Sequence, residues 1–143
     1  MRRTSVPSAL ALALVIAGSA QAGAVGKSKP GPVSGSYTAS ATPDPSSAAP
    51  GRGVCDPVTE GGKDTHPFKV PAAGVLHVEL ANTLDWSLAV RDGAKTLASS
   101  DGASSTDKEQ VDVLFKAAES VTFEACNFTG EPEVAVSYTF TYS

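Results

Sequence analysis

The chain has 143 residues, with 11 basic and 15 acidic side chains and a formal net charge of −4. A mildly acidic chain without a basic stripe disfavours binding to nucleic acid or to an anionic membrane surface. Ala, Gly, Ser, Thr and Pro are abundant and long helical patterns are absent, which favours many short strands and turns.

Residues 1–22 have the three parts of a secretory signal peptide. Two arginines supply a positive start, residues 9–17 form an unbroken apolar run, and a small-x-small cleavage site ends at Ala22. The run is too short to cross about 30 Å of hydrocarbon. We therefore predict a secreted protein, extracellular or associated with the cell envelope, that contacts no membrane after cleavage.

Residues 23–53 read as a flexible lead and linker, because they are rich in Gly and Pro and lack an apolar period. Within them, residues 35–42 have the composition of a strand, since Tyr37 and the threonines favour extended backbone. This segment either packs as a peripheral strand or lies outside the compact core, and we favour the peripheral strand.

From residue 54 to the end, apolar and polar side chains alternate with the period of two that is typical of half-buried antiparallel strands. The clearest runs cover residues 76–80, 86–91, 111–116, 121–126 and 134–142, with shorter strands predicted at 65–70 and 95–99. Turn residues separate the runs. Asp92 and Gly93 in particular predict a hairpin with a type I′ turn.

Seven or eight short strands with turns between them favour an all-β fold, a jelly-roll-like antiparallel β-sandwich. We expect the sandwich to occupy residues 54–143.

Four stretches within residues 64–142 carry a family resemblance. They are the entry strand DTHPFKV at 64–70, PAAGVLHVEL at 71–80, DWSLAVRDG at 85–93 and the end strand VAVSYTFTY at 134–142. The region resembles the bacterial pre-peptidase C-terminal domain, a small jelly roll attached to many secreted proteases. The sequence CNFTG at 126–130 is also similar to a motif of stand-alone secreted proteins from high-GC Gram-positive bacteria.

The resemblance implies a non-catalytic accessory fold, in a family with members that bind carbohydrate, collagen or calcium. No protease domain accompanies the region here. The calcium-binding members carry several acidic residues near the entry strand, whereas this chain has only Asp64 there, beside Lys63. We therefore predict no cofactor from the resemblance.

Cys55 and Cys126 are the only cysteines. Export and an even count favour a structural disulfide over a redox or catalytic thiol. No metal-ligand spacing such as C-x-x-C is present, so we predict no metal site. Because Cys126 alternates out of phase with Val121, Phe123 and Ala125, we expect the bridge on the outer face of its sheet, outside the main core.

Exposed loops are the predicted places for ligand contact. The candidates are Phe128, Asp92, Asp101 and Asp107. The aspartates, with Glu109, could supply calcium ligands from neighbouring loops, or they could serve turns and solubility. Phe128 could contact a partner or pack over the disulfide.

The other aromatic residues and the asparagine motif have structural interpretations. Trp86, Tyr138 and Tyr142 alternate in phase with core residues, so we expect them in the core rather than stacked on sugar rings. Asn127 opens a glycosylation sequon, which we interpret as a chance match.

His77 shares a strand face with Glu79 and could act as a general base. No nucleophile motif such as G-x-S-x-G accompanies the pair, so we predict no catalytic residues and no enzyme. The sequence favours a secreted binding or accessory module with a glycan or protein partner. The alternatives are an interaction protein that pairs with another secreted protein, such as a protease, and, third, a small hydrolase.

Overall fold

The computed structural model describes residues 28–44, 55, 62–81, 85–102 and 108–143. The predicted signal peptide, and residues 23–27 and 45–53 of the predicted lead and linker, lie outside these residues. The described residues form eight β-strands: β1 (Val33–Ser40), β2 (Lys63–Val70), β3 (Gly74–Leu80), β4 (Trp86–Asp92), β5 (Lys95–Ser100), β6 (Gln110–Phe115), β7 (Glu119–Asn127) and β8 (Glu133–Tyr142).

The strands lie in two four-stranded antiparallel sheets. The β1 sheet has the order β1-β8-β3-β6, and the β2 sheet has the order β2-β7-β4-β5. Strands pair from the outside of the chain inward, β1 with β8, β2 with β7, β3 with β6 and β4 with β5. Such nested pairing folds one long antiparallel hairpin into two stacked sheets, which is a jelly roll. The predicted all-β sandwich is confirmed.

The core lies between the sheets and contains the side chains of the predicted alternation. Trp86, Leu88 and Val90 of β4 face it, and their neighbours Ser87, Ala89 and Arg91 face outward. Tyr138 and Tyr142 pack against it, half-buried. Period-two patterning therefore identified the buried faces of β3, β4, β6, β7 and β8, because successive side chains of a strand alternate between the two faces of its sheet.

The strand predicted at residues 35–42 forms part of the sandwich. β1 begins and ends two residues earlier, pairs with β8 along its whole length, and buries Ala39 completely. The sandwich therefore begins at Val33 and not at residue 54. The apolar face of this strand is small, since it consists of Tyr37 and Ala39, with Ala41 just beyond its end, and for that reason the sequence left open whether the strand packs on the core.

The hairpin predicted at Asp92 and Gly93 joins β4 to β5, one residue later than expected. Asp92 pairs with Lys95, so Gly93 and Ala94 are the two turn residues. Of these only Gly93 has a positive φ, 54°. A positive φ at the first turn position alone is the pattern of a type II′ turn, not the predicted type I′.

Candidate functional site

The outer face of the β2 sheet is closed at one end by the disulfide. Cys55 and Cys126 are bonded, as predicted, and lie 71 positions apart in the chain. Both are buried in a cluster with Ala89 and Phe128 that is separate from the main core. The bridge therefore lies outside the main core, as the strand phase indicated, but this face of the sheet has a small core of its own.

Phe128 belongs to that second cluster and is only 5% exposed. Of the two roles left open by the sequence, the structure places it over the disulfide. It is not an exposed ring for a ligand. Its backbone N–H also donates to the carbonyl oxygen of Asp85 at 3.0 Å, so side chain and backbone are both engaged within the fold.

Asn127 organises the loops at this end of the sandwich. Its Nδ2 donates to the carbonyl oxygens of Ala41 and Glu131, both at 2.9 Å. Its Oδ1 accepts from the N–H of Gly130 at 2.7 Å. The side chain is fully buried. Its bonds therefore satisfy backbone groups that have no hydrogen-bond partner in a sheet.

The burial of Asn127 removes it as a glycosylation acceptor in the folded chain. Asparagine is a common turn residue because its side chain bonds nearby backbone, so its position at the end of β7, three residues before Gly130, could have indicated this role from the sequence. The Trp86 indole adds to the same loop, because its Nε1 donates to the Glu131 carbonyl at 3.0 Å.

The predicted acidic contact residues do not come together. Asp92 and Asp101 flank β5 at opposite ends, and Asp107 lies outside the described residues. Asp101 is instead near Asp85, whose Oδ2 accepts from Thr129 Oγ1 at 3.0 Å. Burial, and then the negative charge of Asp85, raise the pKa of Asp101. Within the described ranges, no group of three or more His, Cys, Asp or Glu side chains could hold a metal ion.

The two histidines occupy different environments. His66 of β2 faces the gap between β1 and β2 and stacks on the Tyr37 ring, with centroids 4.1 Å apart and planes 13° apart. It also lies 6.0 Å from the Phe123 ring. His66 is therefore a packing residue at one long side of the core.

His77 of β3 is the centre of a charged network on the open outer face of the β1 sheet. Its Nδ1 lies 2.9 Å from Asp112 Oδ1 on β6, and its Nε2 lies 3.8 Å from Glu79 Oε2. Lys108 Nζ donates to Glu79 Oε1 at 2.7 Å. The hydrogen bond from Lys108 is the main reason why the pKa of Glu79 is lowered, and the charges of Lys108 and His77 add to it.

A row of hydroxyl groups continues from His77 across the sheet. Thr139 is the direct cross-strand neighbour of His77, and Ser34 is the neighbour of Thr139. The two hydroxyls lie 2.9 Å apart and bond each other. The sequence predicted that His77 and Glu79 share a face. It did not predict Asp112 or Lys108, because their positions depend on the register between β3 and β6.

A groove of about 450 Å³ lies beside this network, between the edge strands β5 and β6. Its walls carry Leu97, Val113 and Phe115, of which Val113 and Phe115 are buried core residues. Charged side chains surround this apolar floor: Asp92, Lys95, Asp112, Lys116 and Glu119. Among the predicted contact residues that the structure describes, Asp92 is the one that reaches the groove.

The chain matches no family model, and neither a curated protein nor a solved structure was found to be similar to it. Among the described residues, no helix has the length and apolar character needed to span a membrane. The disulfide fits an extracellular protein.

Proposed function

We propose that this chain is a secreted, non-catalytic β-sandwich module that binds a partner or ligand at the cell envelope or outside the cell. The observation that carries the proposal is the difference between the two outer faces. The disulfide cluster closes one end of the outer face of the β2 sheet. The outer face of the β1 sheet instead presents the exposed charged network around His77.

The chemistry around His77 supports binding better than catalysis. Both of its ring nitrogens face carboxylates, those of Asp112 and Glu79. A general base needs a free nitrogen within reach of a nucleophile or water held in a pocket, and this network lies on an open strand face. Exposed charges and hydroxyls in fixed cross-strand positions can recognise a polar surface.

The resemblance to the pre-peptidase C-terminal domain belongs to this proposal. Jelly-roll topology and the matching strand stretches are compatible with it, and an accessory fold of that kind acts by binding. The export pattern at residues 1–22 and the disulfide support an extracellular location.

Retention by isolated cell wall and by culture secretome tests the proposal. The mature, disulfide-bonded chain is immobilised, and retained glycans and proteins are identified by mass spectrometry. A variant with His77→Ala and Glu79→Ala should lose retained material, while a Lys69→Ala variant on the other sheet serves as the matched control. Turnover of peptides, esters or glycans that His77→Ala abolishes would overturn the proposal.

Pairing with another secreted protein, such as a protease, is the second candidate. Leu114 is 69% exposed and Val75 is 40% exposed, and the two are direct cross-strand neighbours on the open face. Exposed apolar neighbours favour a protein partner over a purely polar one. Co-purification with one secreted protein, without glycan, would favour this candidate.

A further inference from the structure

Strand β6 presents unpaired backbone groups at the edge of the β1 sheet. The N–H of Leu80 donates to the carbonyl of Glu109 at 2.8 Å, which fixes the phase of the β3–β6 ladder. Because hydrogen-bonded pairs alternate along an antiparallel ladder, Val111, Val113 and Phe115 bond to β3. The N–H and C=O groups of Gln110, Asp112 and Leu114 therefore point away from the sheet, and no described residue pairs with them.

The other three edge strands each carry a feature that discourages further pairing. On β1, the N–H of Ser40 is occupied by Asp64 Oδ2 at 3.2 Å. β2 contains Pro67, and β5 has an irregular register with β4 and begins with Lys95. Proline, lysine and irregular register are the devices that protect sheet edges from pairing. β6 has no proline, no lysine and no register shift against β3; its one charged side chain, Asp112, leaves a basic segment as the suitable partner.

The side chains of β6 add recognition elements to this free edge. On the open face, Leu114 is exposed beside Val75, and the Asp112 side chain is 71% exposed. On the core side of the strand, Leu97 and Val113 line the groove, which Asp112 and Leu114 also border from the outer side. A strand added to β6 would place alternate side chains over these two surfaces.

We infer that β6 is a docking edge for an extended segment of a partner protein, added antiparallel to β6. The partner segment would carry an apolar residue opposite Leu114, an apolar residue opposite Val113 whose side chain enters the groove, and a basic residue opposite Asp112. This inference rests on the proposed function and specifies its partner. Opposite charges in cross-strand pairs are favourable, and the net charge of −4 attracts a basic segment.

A second copy of this chain fits the edge less well. Two copies related by a two-fold axis could pair their β6 strands antiparallel through Gln110, Asp112 and Leu114. This register places Asp112 of one copy opposite Asp112 of the other. Like charges directly opposite each other destabilise a strand pair. The charge on β6 therefore favours a basic partner segment over self-pairing.

Peptide titration of the mature, disulfide-bonded, ¹⁵N-labelled chain tests the inference by NMR. The probe is a ten-residue peptide of serines and threonines with valine–valine–lysine at its centre, and the matched control has glutamate in place of lysine. We expect shift changes centred on Gln110, Asp112 and Leu114, with the lysine peptide binding about fivefold more tightly. In Asp112→Lys, the preference should reverse.

A proline variant tests whether the peptide binds to the backbone edge of β6 or to another part of the surface. Leu114→Pro removes an outward N–H and leaves the bonds to β3 in place, so it should weaken peptide binding at least tenfold. Ser36→Pro makes the corresponding change on β1, at the opposite edge of the same sheet, and should bind as the parent does. If Leu114→Pro fails to fold, the Asp112→Lys reversal decides the question.

The inference is overturned by shift changes that map elsewhere, by no binding at millimolar peptide, or by equal affinity for the two peptides. It is also overturned if Ser36→Pro loses as much affinity as Leu114→Pro. Retention of secreted material by the parent chain and equally by Leu114→Pro would overturn the docking edge but leave the proposed function standing. No retention by the parent chain would overturn the proposed function itself.

Discussion

The buried side chain of Asn127 hydrogen-bonds backbone groups at one end of the sandwich, as a neighbouring strand would. It bonds two separate segments, one at Ala41 and one at the adjacent residues Gly130 and Glu131. A buried amide of this kind is specific, because each of its donors and acceptors must meet a partner. The CNFTG stretch at 126–130 therefore combines a covalent link at Cys126 with a hydrogen-bonded one at the next residue.

Asn127→Ala should leave several buried backbone groups without a partner. Buried hydrogen bonds contribute about 1 kcal/mol each, and orphaned groups cost more. We expect the free energy of unfolding to fall by about 3 kcal/mol in urea denaturation. Thr129→Ala also destroys the sequon but removes only one exposed hydrogen bond. An equal loss in both variants would contradict the assigned role.

The Tyr37 hydroxyl is buried and has no hydrogen-bond partner among the residues that the structure describes. Burial, and secondarily the charge of Asp64, raise the pKa of this phenol above its usual value. Tyr37→Phe keeps the stack on His66 and removes the unsatisfied hydroxyl, so it should stabilise the fold by about 1 kcal/mol. Tyr37→Leu is the control that loses the stack, and a destabilised Tyr37→Phe would show that the hydroxyl is in fact satisfied.

The raised pKa of Asp101 predicts how the stability of the fold changes with pH. Because the folded chain holds this proton more tightly than the unfolded chain, Asp101 lowers stability once the pH rises above its unfolded pKa of about 3.9. Asp101→Asn should therefore raise the melting temperature at pH 7 and leave it unchanged at pH 3. Asp92→Asn is the exposed control. A variant that is more stable by the same amount at both pH values would exclude an electrostatic cause.

Among the strands, small residues permit close packing at two positions of the β1 sheet. The Tyr138 ring lies over Gly35, and the Phe140 ring lies over Gly74. A β-carbon at Gly74 would meet the Phe140 ring and the backbone oxygen of Thr141. Aromatic rings that cover glycines are a known way to fix strand register.

Gly74→Ala should therefore overpack the start of β3. We expect a loss of about 1 to 3 kcal/mol in the free energy of unfolding, measured by denaturant titration. Gly31→Ala is the control, since a β-carbon there has open space. An unchanged stability in Gly74→Ala would mean that Phe140 can move aside without cost.

The molecule as a whole depends on the bond between Cys55 and Cys126. In the chain-entropy model, a loop of this length contributes about 4 kcal/mol, which is much of the 5 to 15 kcal/mol typical of a domain. The double variant Cys55→Ala and Cys126→Ala should keep the strand content in circular dichroism but melt at a lower temperature. If reducing agent left the melting temperature of the parent chain unchanged, this prediction would be wrong.

The all-β class, the approximate positions of the strands from residue 63 onward and the buried faces of β3, β4, β6, β7 and β8 were predictable from the sequence alone. These follow from local alternation, because side chains of a strand point to opposite faces in turn. It also predicted the disulfide and its place outside the main core, since Cys126 is out of phase with Phe123.

Which residues meet depends on the tertiary structure and could not be predicted from the sequence. The register of β3 against β6 brings Asp112 to His77, and the folding of the loops buries Phe128 and Asn127. The same pairing order leaves β6 at an edge, with Leu114 exposed. Such contacts join residues far apart in the chain and depend on strand register. An alternation with a period of two does not fix the register, because a shift of two residues keeps the same side chains on the buried face.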